Sequence, residues 1–285
     1  MQYQTIQVAN MAPACGGRID GVDLTRELGN QTFQEIHDAL MDRTMIFFRG
    51  QELTPAQHVA LSRHFGEPQP NDVSAFEKDA AFPEIDVLEY DADHPPHVTR
   101  DLWHTDFAGT PTPTLGTLLY ARDIPAEGGD TIWVNMAAAW DALSDRMKAH
   151  LDGLYAWHDT FQPYDEHVRP QMWEGDAFEN SKRKRAAYRP ALHPVVRTHP
   201  VTGRKGLFVN ESMTTFIEGI DRRESNHLLA FLFDHLKAPE FQYRHKWQKH
   251  DLVIWDNRLS LHYALFDYTE HRLLHRITLK GDKPF

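Results

Sequence analysis

The last fifty residues constrain the fold most. Four short runs, 241–247, 252–255, 262–264 and 273–279, follow one another with turns between them, which is the spacing of antiparallel β structure. In the final run Arg272, Leu274, Arg276 and Thr278 share one face under the two-residue period, while Leu273, His275, Ile277 and Leu279 share the other. Neither face is wholly polar, so the run reads as a strand packed on both sides that carries two guanidinium groups into an interior. An unpaired charge there costs several kcal/mol, so both arginines need anions. Internal Asp or Glu partners are one source. Bound ligands are the other, and the position of the arginines ten and fourteen residues after His262 favours them. The planar guanidinium fork matches carboxylate and sulfonate oxygens.

Upstream, short strands alternate with a few helices and no repeat is visible. Asn30 or Thr32 can cap a helix reaching Met41, and Thr54-Pro55 opens a second that ends near Phe65-Gly66. The apolar spacing from Met136 to His150 predicts a third helix, and Asp221 to His235 predicts a fourth. Strands are expected at 44–48, 85–90, 114–121, 132–134, 193–197 and 207–210. A core of strands with helices outside is mainly β and suggests a jelly roll, two sheets facing one another around a central cavity.

The 285 residues are expected to form one domain over 1–285, a length that β folds reach without splitting. No apolar run approaches the ~18 residues of a membrane span, and Met1-Gln2-Tyr3-Gln4 lacks the basic and apolar segments of a signal peptide. A single cysteine, Cys15, excludes an internal disulfide and fits a reducing cytoplasm. The net charge of -11 argues against a nucleic-acid surface. An anionic ligand must therefore be met by local cations. The one basic block, 182–185, lies in a polar stretch of about 163 to 190 that reads as a solvated loop, or as a lid over an active site.

Trp103-His104-Thr105-Asp106 sets an imidazole and a carboxylate two positions apart in an extended run, where both point to one side. With 18 histidines and 41 acidic residues, roughly two or three His-x-Asp/Glu triplets arise by chance. The other one, His150-Leu151-Asp152, ends the third predicted helix, where positions two apart diverge. His104 and Asp106 become a metal site if a second imidazole joins them. His262 is the candidate, and two histidines with one carboxylate on one face of an octahedral ion suit non-haem iron.

Several blocks, in order, carry a resemblance. Trp103 to Asp106, Gly128-Gly129-Asp130-Thr131, the run 193–200, Trp255-Asp256-Asn257-Arg258 leading to His262-Tyr263-Ala264, Arg272 to Arg276, and 281–285 resemble the TauD/TfdA family over nearly the whole chain. These are iron(II)- and 2-oxoglutarate-dependent dioxygenases with a double-stranded β-helix, cupin-like. The resemblance implies that His104, Asp106 and His262 bind Fe(II), and that Thr131 and Arg272 hold the distal carboxylate of 2-oxoglutarate. It also implies that Arg276 faces a substrate anion and that O2 is the second cosubstrate. The interval from His262 to Arg272 is one residue shorter than in taurine dioxygenase, which a shorter turn after Tyr268 could absorb.

At the positions that shape the taurine site this chain has Asn71, Ser74 and Arg100. A cation at the last suits a small organic anion without an ammonium group: another alkylsulfonate, a sulfate ester or a carboxylate. Phe107, Phe161 and Phe208 could wall the cavity or fill the core. A homo-oligomer, dimer or tetramer, is a family-level expectation. Two readings from other classes stand beside the dioxygenase. A cupin-like metal sensor would turn nothing over. A zinc hydrolase would use the same ligands, yet has no need of paired anion-binding arginines or the Thr131 block.

Overall fold

A computed structural model describes residues 3–70, 76–91, 101–162 and 189–285. Asn71, Ser74, Arg100, the predicted loop 93–99 and the basic block 182–185 lie outside these residues.

The larger sheet has eight strands in the order β1 (Gln7–Asn10), β2 (Gly17–Asp20), β3 (Met45–Phe48), β14 (Leu252–Asp256), β6 (Gly116–Asp123), β16 (Arg272–Thr278), β5 (Asp86–Tyr90) and β4 (Glu77–Lys78). Only β2 and β3 run parallel within it. A smaller sheet has β7 (Thr131–Asn135) between β13 (Gln242–His245) and β15 (Ser260–Ala264). The two-residue period sorts the larger sheet into two faces. Ile46, Phe48, Leu118, Tyr120, Leu252, Ile254 and Ile277 pack outward against Ile36, Ala39 and Leu40 of α1 (Asn30–Arg43) and Val59 and Leu61 of α2 (Pro55–Phe65). Met45, Phe47, Leu119, Ala121, Val253, Trp255 and Leu274 point the other way, onto Trp133 of the smaller sheet and Trp247. Val134 and Leu261, on the far side of that smaller sheet, pack with α3 (Met136–Asp141) and α5 (Arg222–Leu236). The layers are therefore helices, sheet, inner core, sheet, helices, which is the expected jelly roll.

Local chemistry sets the helix ends. Thr54 and Gln57 exchange side-chain and backbone bonds in a capping box with Pro55 in the first turn, and Asp221 with Glu224 does the same for α5. The single helix predicted from Met136 to His150 is in fact two. The Ser144 side chain accepts from the Met147 amide and starts a new helix, α4 (Asp145–Leu151), so a cap interrupts what the apolar spacing alone would continue. The run 207–210 is also shorter than predicted. Its strand, β11 (Lys205–Leu207), stops because Asn210 turns the chain, its Oδ1 accepting from the Met213 amide at 2.8 Å.

β1 and β2 carry no pattern strong enough to predict. They form a hairpin that gains its place through β3. β8 (Tyr155–His158), β9 (Ala191–Pro194) and β12 (Thr214–Ile217) form a further small sheet, and β10 (Val196–Thr198) pairs with β11. No helix among the described residues is long and apolar enough to cross a membrane.

Candidate active site

The site lies between the two main sheets. His262 is the inward-facing residue of β15 opposite Trp133, and the loop bearing His104 is stitched directly onto it. The His104 amide donates to the His262 carbonyl at 3.1 Å and the His262 amide to the His104 carbonyl at 2.8 Å. This one antiparallel bridge sets the imidazoles side by side, with ring centroids 4.1 Å apart. Asp106, two residues on, returns to the same side, with Oδ1 3.7 Å from His262 Nε2.

Ligand atoms of His104, Asp106 and His262 lie within 4.8 Å of one another. Ligand atoms on one face of an octahedral ion, each at ~2.1 Å from it, stand ~3.0 Å apart, so a shift of up to about 1 Å per side chain closes the set.

His104 and Asp106 are each held so that one donor atom faces the others, whereas His262 presents Nε2 to Asp106 with its buried Nδ1 unbonded. His104 Nδ1 donates to the Leu102 carbonyl at 2.7 Å, which leaves Nε2 as the lone-pair nitrogen. Asp106 Oδ2 accepts from Thr117 Oγ1 at 2.7 Å and Asn257 Nδ2 at 3.2 Å, which leaves Oδ1 for an ion. Burial pushes the Asp106 carboxyl up, but His262, Arg276, His104 and the Thr117 bond outweigh it and hold the group ionised. Burial, reinforced by the neighbouring His104, pushes His262 down to about 3, so its ring is neutral at physiological pH. Neutral imidazoles and an ionised carboxylate are the protonation states that metal binding requires.

Asn257 connects these parts. Its Nδ2 also donates to Thr114 Oγ1 at 3.0 Å and Thr117 Oγ1 at 2.9 Å, and its Oδ1 accepts from Trp255 Nε1 at 2.9 Å and the Asp106 amide at 3.3 Å. Its backbone is steadied by Asp256, which pairs with Arg258 Nη2 at 2.6 Å and His199 Nε2 at 3.0 Å. Sequence reading used this Trp-Asp-Asn-Arg block only as part of a resemblance. The role of Asn257 rests on contacts about 150 positions away in the chain, which no local pattern reveals.

The two arginines of β16 point inward as predicted, but they are accommodated differently. Arg272 is 3 % exposed, donates from Nη2 to the Gly129 carbonyl at 3.1 Å, and lies 5.5 Å from the centre of the Tyr268 ring. Its Nε and the Tyr268 hydroxyl are both buried and interact with one another, and no carboxylate pairs with Arg272 among the described residues. Gly129 makes that approach possible: φ is +66°, and a Cβ there would stand 3.1 Å from Arg272 Nε. The short turn after Tyr268 thus still delivers Arg272 to the 128–131 block.

Thr131 Oγ1 accepts from Trp247 Nε1 at 3.0 Å, so its own proton is left to donate. Arg276, by contrast, faces Asp86 across the β5–β16 ladder, with Nη2 2.8 Å and Nε 3.1 Å from Asp86 Oδ2. The Phe107 ring lies 5.9 Å from its guanidinium carbon, which ties Arg276 to the loop carrying Asp106. Phe208 is buried against His158, His193 and Arg197 in the cluster behind the smaller sheet. Phe161 is buried as well.

Two imidazoles and one carboxylate on one side of an ion, inside a jelly roll and near a buried guanidinium that lacks its anion, define a non-haem iron oxygenase that takes an oxoacid cosubstrate. The chain belongs to the family described as "Taurine catabolism dioxygenase TauD, TfdA family", which matches residues 7–278. It is an iron(II)- and 2-oxoglutarate-dependent dioxygenase, with O2 as the other cosubstrate.

An alkylsulfatase of Acinetobacter baylyi is 32% identical over 284 residues, which cover 98% of this chain and 86% of the relative. An alpha-ketoglutarate-dependent sulfate ester dioxygenase of Pseudomonas putida is 31% identical over 283 residues, covering 98% and 91%. A taurine dioxygenase structure from Burkholderia xenovorans superposes with a TM-score of 0.83 at 35% identity, covering 99% of this chain and 91% of that one. The expected fold, reaction class and cofactors agree with these similarities.

Proposed function

We propose that His104, Asp106 and His262 hold the iron, that Arg272 and Thr131 hold the distal carboxylate of 2-oxoglutarate, and that Arg276 faces the substrate. The observation that carries this reading is the buried Arg272 guanidinium, which has a backbone carbonyl and the neutral Tyr268 beside it but no paired carboxylate among the described residues. An anionic ligand supplies that pairing. In this reading Asn71 and Arg100 complete the substrate side, while Phe208, expected there from the sequence, is buried behind the smaller sheet and packs the core instead. The substrate is a small organic anion, an alkyl sulfate ester first, a related sulfonate or carboxylate next; the names of the two sulfate-processing relatives support that order.

Iron and 2-oxoglutarate together supply oxygen activation coupled to loss of CO2, leaving succinate and placing a hydroxyl on a substrate carbon. The chain's own groups bind and orient. Arg272 and Thr131 fix one end of the oxoacid. Asn257 and Thr117 hold Asp106 so that one oxygen alone faces the ion. Trp133 and Trp255, both buried beside His262, keep that side dry. If the hydroxylated carbon bears sulfate or sulfonate, the product collapses to an aldehyde with release of sulfate or sulfite.

A single domain over 1–285 belongs to this reading, supported by the first and last strands sharing one sheet. So does a reducing cytoplasm, supported by one buried cysteine, Cys15. A dimer or tetramer is tested by light scattering.

The decisive experiment is anaerobic titration with iron(II) and 2-oxoglutarate, followed by a panel of alkyl sulfates, sulfonates and aryloxy acids with succinate and aldehyde readouts. The weak visible metal-to-ligand band is expected in the parent protein and lost in His104→Ala and Asp106→Ala. Succinate formation with no member of the panel would favour a metal-binding sensor, and rapid saturable taurine turnover would overturn the substrate class.

A further inference from the structure

β5 and β16 run side by side with their inward residues directly opposed: Tyr90 with Arg272, Leu88 with Leu274, Asp86 with Arg276. The two arginines thus stand opposite unlike neighbours. Burial pushes the Tyr90 hydroxyl up to about 12, so Arg272 faces a neutral phenol and keeps its full charge for a ligand. Arg276 faces a carboxylate that is 2 % exposed, and both contacts from its Nε–Nη2 edge go to the single oxygen Oδ2. The other oxygen of Asp86 meets Lys78 Nζ from β4, which pairs directly opposite. Asp86 therefore lies between two cations, one buried by the site and one about a third exposed at the sheet edge.

From this geometry, and resting on the reading of Arg276 as the group that faces the substrate, we propose that Asp86 is a specificity-determining residue. It offsets one unit of the positive charge that Lys78 and Arg276 bring beside the substrate and so favours a monoanion over a dianion. Without it, Lys78 and Arg276 would present two units of positive charge across one strand, a field that rewards a dianion. With it, the field of this pair is lower by one unit, beyond what Asp106 already takes from Arg276, and the edge of Arg276 bound to Asp86 is fixed in orientation. In a low-dielectric interior a one-unit change acts more strongly on a doubly charged ligand than on a singly charged one of the same shape.

Hexyl sulfate and hexyl phosphate provide the test, since they share a shape but differ by one charge at pH 8, where the phosphate's second pKa near ~6 is passed. Both are titrated calorimetrically into the Mn(II)–N-oxalylglycine form of the full chain, in which nothing turns over. Asp86→Asn keeps an acceptor oxygen for Arg276 while removing the charge. It is expected to raise the phosphate-to-sulfate affinity ratio by tenfold or more.

Lys78→Ala changes a partly exposed side chain and subtracts one cation, so the ratio is expected to fall by threefold or more. N-oxalylglycine affinity stays within twofold in both variants. Ratios that remain within twofold of the parent value, or that move in the same direction in both variants, overturn the proposal. So does an Asp86→Asn protein that binds both probes more weakly in equal measure, which is the signature of a purely structural pair. If the parent chain binds neither N-oxalylglycine nor hexyl sulfate, the assignment of Arg276 to the substrate fails first, and the role of Asp86 fails with it.

Discussion

Asn257→Ala separates a side chain that organises the metal ligands from one that merely fills space. The substitution removes the acceptor of two buried donors, Trp255 Nε1 and the Asp106 amide. It also removes a donor to Asp106 Oδ2, which keeps Thr117. A buried donor left unsatisfied costs ~1–3 kcal/mol. Water entering the vacated space recovers part of that for a polar site. A net loss of about 3 kcal/mol follows, or a melting temperature lower by roughly 5 °C for a chain of this size.

The second effect is on the ion. With Oδ2 held by one bond instead of two, the Asp106 carboxylate rotates more freely, and a loss of ~10–100-fold in metal affinity is expected for a ligand's outer partner. Manganese titration followed by electron paramagnetic resonance measures the affinity, and calorimetry measures the stability. Asn135→Ala is the control. Its side chain is as buried, bonds the Ala14 carbonyl at 2.7 Å and caps α3, so it should cost stability with no change in metal affinity. An Asn257→Ala protein that melts early yet binds manganese within twofold of the parent would refute the reasoning.

Tyr268→Phe removes the buried hydroxyl beside Arg272, so half-saturation by 2-oxoglutarate should rise by about two- to tenfold, the equivalent of one hydrogen bond. Substrate KM should hold, and an unchanged 2-oxoglutarate titration sinks the idea. His58 gives a pH dependence. Burial, then His275 and Arg122, push it down to about 3, and neither ring nitrogen has a partner. The unfolded chain therefore takes up a proton near pH ~6.5 that the native state refuses until about 3. Stability falls as pH drops through that window, with a slope of about 1.4 kcal/mol per pH unit from this group. His58→Leu should flatten the urea midpoint between pH 6.5 and 4 by that one-proton slope; an identical slope would show that His58 titrates normally.

What the sequence reveals follows from how local each signal is. Thr54-Pro55 and Asp221 fix helix starts because capping involves three or four consecutive residues. The inward arginines of β16 are legible because one strand's period places them. Ser144 shows where period alone misleads, since its cap divides a run whose apolar spacing is continuous. β1 and β2, only four residues each and with just Gly17 and Ile19 buried, acquire strand character by pairing with one another and β3.

The iron-ligand candidates could be read from a two-residue spacing and a resemblance. The bridge that joins His104 to His262, and the Asn257 web around Asp106, span about 150 positions and belong to tertiary structure. The spacing after His262 makes bound ligands the expected anions for both arginines; for Arg276 the expectation is corrected, because the ladder sets an internal carboxylate directly opposite it. The fold shows Asp86 on Arg276 and, among the described residues, no carboxylate on Arg272.

That asymmetry gives an order to binding. A guanidinium buried without its anion is a standing cost to the folded chain. The first dianion to enter relieves this cost at Arg272, so part of the oxoacid's affinity is prepaid by folding. Arg276 already shares a carboxylate with Lys78, so a substrate meeting it gains less from charge than the oxoacid gains at Arg272. The oxoacid should therefore bind well to the substrate-free enzyme, and the substrate should bind more weakly and later, into a pocket whose positive charge is already partly offset by Asp86. Sheet parity places both arginines on one inward face with Leu274 between them, so the two binding events share a strand without sharing a countercharge.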